Sequence, residues 1–117
     1  MRRKHYLKIN GIKVLSVPKV IQQVYRETVK GNENTSSLDI RKKLTRNVLL
    51  ANEVEVDSLR DKLFGVRKFT YGNLHITVWM NMVLDLENHT GGYHYKSWKK
   101  DQSMYRKLTK MLEIEQS

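Results

Sequence analysis

Residues 66–80 read VRKFTYGNLHITVWM, and this stretch decides the fold because it predicts a β-hairpin around which the other elements are arranged. Two runs rich in β-branched and aromatic residues flank Gly72-Asn73, a pair that suits a two-residue turn. A turn of that length predicts a buried face made of three cross-strand pairs: Tyr71 with Leu74, Phe69 with Ile76, and Arg67 with Val78.

The opposite face of this hairpin is predicted to carry the side chains that are available to a ligand. In the same register it shows Lys68, Thr70, His75, Thr77 and Trp79. A slip of one residue would exchange the two faces, because side chains alternate along a strand. We therefore interpret Lys68, His75 and Trp79 as candidate nucleic-acid contacts that depend on this register.

A second hairpin is predicted at residues 5–16, HYLKINGIKVLS, where Asn10-Gly11 lies between two β-rich runs. Its isoleucines share one face, and Lys8 lies opposite Lys13 on the other. Like charges directly across a ladder cost a few tenths of a kcal/mol, roughly, unless an anion lies over them. Lys8 and Lys13 are thus either phosphate contacts or a solvated pair.

Helical spacing of apolar residues predicts two helices after this hairpin. Following Pro18, the spacing extends over 18–30 and ends at Gly31, a residue that suits a helix end. Ser36-Ser37-Leu38-Asp39 has the form of a capping box, which places a hydroxyl at the helix start and a carboxylate three residues later. It predicts a second helix over 38–50.

The rest of the chain predicts a short helix, a further strand and a closing helix. The short helix covers 57–64 after the connecting segment ANEVEV, with Asp57 or Ser58 as its cap and Gly65 as its end. The strand runs through Met82, Leu84 and Leu86. The closing helix begins at about Ser97, and its apolar stripe consists of Met104, Tyr105, Leu108, Met111 and Leu112.

This order of elements predicts the α+β class, with a small bent antiparallel or mixed β-sheet, or a partly closed barrel, and flanking helices. At 117 residues the chain suits a single domain over residues 1–117. The absence of cysteine excludes disulfides and thiolate zinc sites. No apolar segment typical of a signal peptide or a membrane span is found, so we expect a soluble, cytoplasmic protein.

Positive charge is the strongest global signal. Twenty-two Lys and Arg against twelve Asp and Glu give a net charge of +10, and residues 1–30 hold eight bases and one acid. A focused basic surface attracts polyanions, and nucleic acid is the commonest of these inside cells. Arg2, Arg3 and Lys4 are therefore candidate phosphate contacts. Two alternatives stay open: a basic protein without a specific partner, and a protein-interaction module that meets an acidic partner.

Residues 87–100, ENHTGGYHYKSWKK, combine histidines, glycines, aromatics and lysines. Zinc requires three or four ligands at defined spacing, and His89 with His94 fits no common pattern even with Asp85 and Glu87 upstream. The segment TGGYHYKS does not match a Walker-type phosphate loop. The sequence therefore predicts neither a metal nor a cofactor.

Base stacking suits the second half of this stretch better. Tyr93 and Tyr95 alternate along an extended segment and share one face, with Lys96 and Lys99 close by in the sequence. Aromatic rings interleaved with cations are typical of surfaces where bases stack and phosphates are neutralised. Tyr93, Tyr95, Lys96 and Lys99 are therefore candidate RNA contacts, and the alternative is that the tyrosines close one end of the sheet.

Catalysis is the remaining alternative. His75-Ile76-Thr77 has the H-x-T pattern of two-histidine phosphoesterases, but the chain has no second H-x-T. His75 and His94 are the residues on which an RNA-cleaving or phosphodiesterase mechanism would have to be built, because a histidine can act as general base or acid. We predict no catalytic residue.

The opening RRKHYLKINGIKV, the high charge and the strand-rich FTYGNLHITVW resemble the small PrgU-type regulatory proteins encoded on conjugative pheromone plasmids of Gram-positive cocci. The resemblance implies a PUA-like fold, a small mixed β-barrel with flanking helices that is often found on RNA. It also implies repression of a surface-adhesin operon through its transcript. Together, charge and resemblance predict a non-catalytic RNA-binding regulator whose partner is RNA, for example a 5′ leader.

Overall fold

Ten elements follow one another in residues 6–89 and 102–114, which are the residues that the computed structural model describes. The first half comprises β1 (Lys8–Ile9), β2 (Ile12–Lys13), α1 (Lys19–Thr28), α2 (Ser37–Leu50) and β3 (Asn52–Val54). The second half comprises α3 (Leu59–Phe64), β4 (Arg67–Tyr71), β5 (Leu74–Trp79), β6 (Met82–Asn88) and α4 (Gln102–Met111). This order confirms the predicted α+β class.

The larger sheet is antiparallel, with the strand order β3-β4-β5-β6. The predicted hairpin over β4 and β5 is confirmed in register, with Phe69 opposite Ile76 and Tyr71 opposite Leu74. Strand β3, which the sequence suggested only as a connection between helices, pairs with β4. In the described residues the sheet is open, with β3 and β6 at its edges, and does not close into a barrel.

One face of the sheet packs against α1 and α2 and forms the main core. Phe69, Leu74, Ile76 and Val78 are buried as predicted. The prediction that Arg67 belongs to this buried face is wrong: its side chain is exposed and donates two hydrogen bonds to the Glu53 carboxylate at 2.7 and 2.8 Å. A guanidinium is costly to remove from water, so at the first position of β4 it pairs with β3 in solvent instead.

Strand β6 contains an irregularity that changes which of its residues are buried. Val83 pairs with Val78, whereas the next pair is Asp85 with Thr77, so Leu84 has no partner in the ladder. The predicted strand is confirmed, but Val83 and Leu86 are buried while Leu84 is exposed. An extra residue on one strand of a ladder shifts the alternation of faces, which explains this spacing.

The helix starts follow the local sequence signals. The Ser36 hydroxyl accepts a hydrogen bond from the Asp39 amide at 3.1 Å, and the Ser58 hydroxyl accepts one from the Asp61 amide at 3.2 Å. Both predicted caps are therefore confirmed, with Ser58 and not Asp57 at the start of α3. Gly65 ends α3 with a φ of 82°, a left-handed conformation that glycine adopts without strain.

These two caps predict a measurable difference in stability. Ser36→Ala is expected to lower the free energy of unfolding by about 1 kcal/mol, because one backbone donor of a largely buried helix loses its acceptor. Ser58→Ala is expected to have a smaller effect, because α3 buries none of its side chains. Urea unfolding of the two variants checks this ordering; a larger loss for Ser58→Ala would contradict it.

The N-terminal hairpin packs against the end of α4. Lys8 pairs with Lys13 and Ile9 with Ile12, as predicted, across a turn in which Asn10 and Gly11 have positive φ. The Asn10 side chain donates to the Met111 carbonyl at 2.7 Å. A second small core lies here, formed by Val14, Leu112 and Ile114 together with the two isoleucines of the hairpin.

Helix α4 begins at Gln102 in the described residues, and the predicted start near Ser97 lies outside them. Of the predicted stripe, Leu108 and Leu112 are buried, whereas Met104 is exposed. Thr109, which is not part of the predicted stripe, is buried instead of Met104. The reason is that α4 packs along α2, and Thr109 lies against polar side chains of α2. Among the described residues no helix has the length and the apolar content that crossing a membrane requires.

Candidate nucleic-acid interface

A cavity of about 590 Å³ lies among α1, α2, the β4–β5 hairpin and α4. We call it the Arg46 pocket. Its lining combines aromatic, cationic and amide side chains, and the described residues that form it include no Asp or Glu. The lining residues are Tyr25, Tyr71 and Tyr105, then Lys43, Arg46 and Arg106, then Asn32 and Asn47, with Val29, Leu74 and Gln102 completing it.

Helix α2 supplies the polar wall of this pocket. Lys43, Arg46 and Asn47 are spaced i, i+3, i+4 and therefore share one face of the helix. Arg46 and Asn47 are buried, which is unusual for residues of these types. Helix α2 thus packs on the sheet through Ile40 and Leu44 and turns a polar face toward α4.

Arg46 is 6 % exposed, and its contacts leave part of its hydrogen-bonding capacity unused. One terminal N–H donates to the Thr109 hydroxyl at 2.9 Å, and the guanidinium lies 4.0 Å from the centre of the Tyr105 ring. Its Nε–H has no acceptor in the described part of the chain. Among the described residues no carboxylate lies within ion-pair distance of it.

Other cations in the chain show how unusual this arrangement is. Lys42, also buried, lies 4.0 Å from the Asp39 carboxylate and donates to the Glu113 carbonyl at 3.0 Å. The Nε–H groups of Arg26 and Arg41 donate to backbone carbonyls at 2.9 and 2.8 Å. A buried charge is tolerated when it is paired, so the open donor of Arg46 indicates a place for an anion.

Lys43 adds a second positive charge that is held in position. Its ammonium donates to Asn32 Oδ1 at 2.8 Å, and the Asn32 amide nitrogen is itself bound to the Lys30 carbonyl at 3.2 Å. Burial, and after it the charge of Arg46, lowers the pKa of Lys43. An anion between the two cations would relieve their repulsion.

Tyr25 supplies a neutral donor next to these cations. Its side chain is 2 % exposed, and burial raises its pKa to about 12, against the opposing effect of Arg46. The hydroxyl therefore keeps its proton at neutral pH and can donate a hydrogen bond. Cations, a phenol and aromatic faces in one cavity can bind an anion that is attached to a planar ring.

The structure places two of the predicted contacts on the opposite face of the sheet. Lys68 pairs with Thr77 and His75 with Thr70, and both side chains are partly exposed. Two carboxylates share this surface, because Glu87 lies opposite His75 and Asp85 opposite Thr77. Lys68 and His75 both lower the pKa of Glu87, after the larger effect of its hydrogen bond with His89. This face has mixed charge.

The histidines of this face form a stack. The rings of His75 and His89 lie 3.9 Å apart, and His89 Nε2 is 2.8 Å from Glu87 Oε1. This spacing leaves no room for a phosphate between the two rings. His94, the proposed catalytic partner of His75, lies outside the described residues. Within residues 6–89 and 102–114 no three potential metal ligands are grouped together.

Of the remaining predicted contacts, Trp79 follows the same alternation as His75 at the end of β5, whereas Lys8 and Lys13 belong to the separate N-terminal hairpin. Trp79 donates its indole N–H to the Phe64 carbonyl at 2.9 Å, which joins β5 to the end of α3. Lys13 lies 4.2 Å above the Tyr6 ring, with Lys8 opposite it in the N-terminal hairpin. The predicted contacts Arg2, Arg3, Lys4, Tyr93, Tyr95, Lys96 and Lys99 lie outside the described residues.

One protein family matches most of the chain. A family model described as YorE matches residues 15–111. The chain belongs to the YorE family. The YorE match includes all residues that line the Arg46 pocket and omits β1 and β2. No curated protein and no solved structure gives a significant match. The YorE match does not bear on the resemblance to PrgU-type regulators, which stays a prediction.

The Arg46 pocket was not predicted from the sequence. Helical spacing predicts that Tyr105 belongs to an apolar stripe, and the hairpin register predicts that Tyr71 lies on the buried face, so neither residue indicates a ligand site. One available signal was the polar set Lys42, Lys43, Arg46 and Asn47 in a helix whose capping box was already clear. Polar residues that spread over more than one side of a helix cannot all face solvent when the helix is packed between other elements.

Proposed function

We propose that this protein is a non-catalytic RNA-binding regulator and that the Arg46 pocket holds a backbone phosphate of the RNA. The observation that supports this most is the buried Arg46 guanidinium, which has an unused donor in a pocket whose described lining residues carry no carboxylate. Charge-assisted hydrogen bonds to phosphate are roughly twice as strong as neutral ones, and arginine presents a fork of donors that suits phosphate oxygens.

The aromatic content of the pocket favours RNA over an acidic peptide. Tyr71 and Tyr105 line the same cavity as the cations. A base stacked on an aromatic side chain contributes roughly 1–3 kcal/mol, whereas a carboxylate from a protein would use the cations alone. Unpaired bases in RNA loops are recognised in this way.

Charge around the pocket supports the same proposal. Arg106 lines the cavity, and Lys107 and Lys110 are exposed on the same helix α4. With a net charge of +10, the protein attracts a polyanion over distances that a single carboxylate would not reach. Lys68 and His75 become secondary contacts in this proposal, because Asp85 and Glu87 weaken the attraction of their face for phosphate.

Regulation through a transcript is the biological part of the proposal. It rests on the resemblance to PrgU-type proteins, and it requires the protein to act in the cytoplasm. A protein that binds and releases a leader RNA needs a site that recognises unpaired nucleotides without cleaving them. The Arg46 pocket suits that role because its described lining residues offer cations and aromatic rings and include no histidine.

The experiment that tests this is a fluorescence-anisotropy titration of a labelled single-stranded RNA at several salt concentrations. One phosphate shared by Lys43 and Arg46 and a second neutralised by Arg106 predict a log–log slope of about −1.4, since each phosphate contributes about −0.7 on a single strand. Recovery of intact RNA afterwards is expected. Cleavage that is abolished by His75→Ala would instead support the enzymatic alternative.

Heparin serves as the control polyanion because it has charge without bases. RNA is expected to bind more tightly than heparin of matched charge. Equal affinity, or binding that does not change with salt, would contradict the proposal and would direct the search to an acidic protein partner.

A further inference from the structure

We infer that the Arg46 pocket also reads one unpaired nucleobase, which we assign as adenine, through the side-chain amide of Asn47. This inference rests on the proposed function, because it names the part of the RNA that the pocket selects. Asn47 is 4 % exposed and lines the cavity, yet its amide forms no hydrogen bond within the described residues. Its amide is not among the polar atoms that the structure shows cut off from solvent, so it is open to the pocket and its donor and acceptor are available to a ligand.

The two asparagines of the pocket differ in this respect. Asn32 Oδ1 accepts hydrogen bonds from Thr35 and Lys43, both at 2.8 Å, and its amide nitrogen donates to the backbone. Asn32 therefore holds the loop and Lys43 in place. Asn47 has its donor and its acceptor available to a ligand in the pocket.

The position of Asn47 suits a base that is attached to a bound phosphate. Asn47 follows Arg46 directly and lies one turn after Lys43, so the amide and both cations share one face of α2. Tyr71 and Tyr105 belong to the same lining, and the Arg46 guanidinium lies 4.0 Å from the centre of the Tyr105 ring, so aromatic and cationic groups meet beside the amide. The cavity of about 590 Å³ lies within the usual range for a small-ligand site.

This arrangement favours an unpaired nucleotide. In a duplex, the base is stacked on its neighbours and its pairing edge is occupied, so it cannot enter a pocket beside the backbone. An asparagine amide pairs with adenine through two hydrogen bonds, because adenine offers a donor next to an acceptor on one edge. The ligand class is therefore a single-stranded RNA segment with an adenine in the pocket.

The test uses oligouridylate RNAs that carry a single central A, C, G or U, titrated against the full chain. The wild-type protein is expected to bind the A-containing RNA about fivefold more tightly or better, the discrimination that one two-bond amide contact provides. Asn47→Leu is expected to abolish this preference while the salt dependence stays unchanged. Gln23→Leu, which changes an exposed amide of α1, is the matched control and should retain the preference.

A second variant keeps the inference testable if Asn47→Leu fails to fold. Asn47→Asp has nearly the same shape but offers acceptors alone, so the preference is expected to shift from adenine toward cytosine, whose amino group donates. Equal binding of all four RNAs by the wild type would overturn the inference, as would an adenine preference that survives both substitutions. In either case RNA binding that depends on Arg46 would leave the proposed function standing, whereas failure of all four RNAs to bind would reject both.

Discussion

Arg46→Met is expected to weaken RNA binding by about tenfold or more while leaving the free energy of unfolding unchanged or higher. The loss follows because the phosphate would lose at least one charge-assisted hydrogen bond, and each contributes about 1.5–3 kcal/mol. At about 1.4 kcal/mol per factor of ten, two such bonds at the lower limit correspond to somewhat more than a hundredfold. Methionine fills a similar volume without charge.

The stability part of this prediction separates function from folding. In the free protein the Arg46 guanidinium is buried with an unsatisfied Nε–H, which is an unfavourable arrangement. Removing a buried charge that has no ion-pair partner also removes the cost of keeping that charge out of water, so the substitution is expected to be neutral or stabilising. The lost hydrogen bond with Thr109 and the contact with the Tyr105 ring oppose this gain.

Arg60→Met is the matched control because it removes the same charge from an exposed position outside the pocket. Anisotropy with a single-stranded RNA and urea unfolding are measured on both variants and the wild type. Equal loss of affinity in the two variants would mean that only the overall charge of the protein matters. A large loss of stability in Arg46→Met would mean that Arg46 serves the fold.

Ile76→Ala is expected to lower the free energy of unfolding by about 2–5 kcal/mol, the range for removal of a large aliphatic side chain from a packed core. Ile76 is fully buried on the central strand β5, between Phe69 on β4 and Leu86 on β6. The helices α1 and α2 pack on this face, so little rearrangement is available to fill the cavity.

Urea unfolding measures this loss, and Leu63→Ala provides the control with a similar change in side chain. Leu63 is 77 % exposed on α3, so its removal is expected to change stability by less than about 0.5 kcal/mol. Similar losses for the two variants would contradict the assignment of the core to the face formed by β4, β5 and β6.

Local rules explain why several elements could be predicted from the sequence. The turn Asn10-Gly11 and the turn Gly72-Asn73 each fixed a hairpin register, because turn length determines which residues pair. Ser36 and Ser58 marked helix starts for a similarly local reason. Each of these signals acts over a few residues and needs no knowledge of the tertiary structure.

Features that depend on distant contacts could not be predicted in this way. The pairing of β3 with β4 and the unpaired Leu84 in β6 follow from how the strands assemble, which no short pattern encodes. The Arg46 pocket combines residues from four separate segments, and its aromatic members, Tyr25 and Tyr105, resemble core residues in the sequence. Periodicity shows that a helix has a polar face, but the partner of that face is set by packing.

The measurement that tests the central claim most directly is a ¹H–¹⁵N spectrum of the arginine side chains during titration with single-stranded RNA. The Arg46 Nε–H resonance is assigned by its absence in Arg46→Met. It is expected to shift as the RNA binds, because this donor acquires a phosphate acceptor. The Arg67 Nε–H, which already donates to Glu53, is expected to stay in place. RNA that binds while the Arg46 resonance stays unchanged would contradict the proposal that the pocket holds a phosphate.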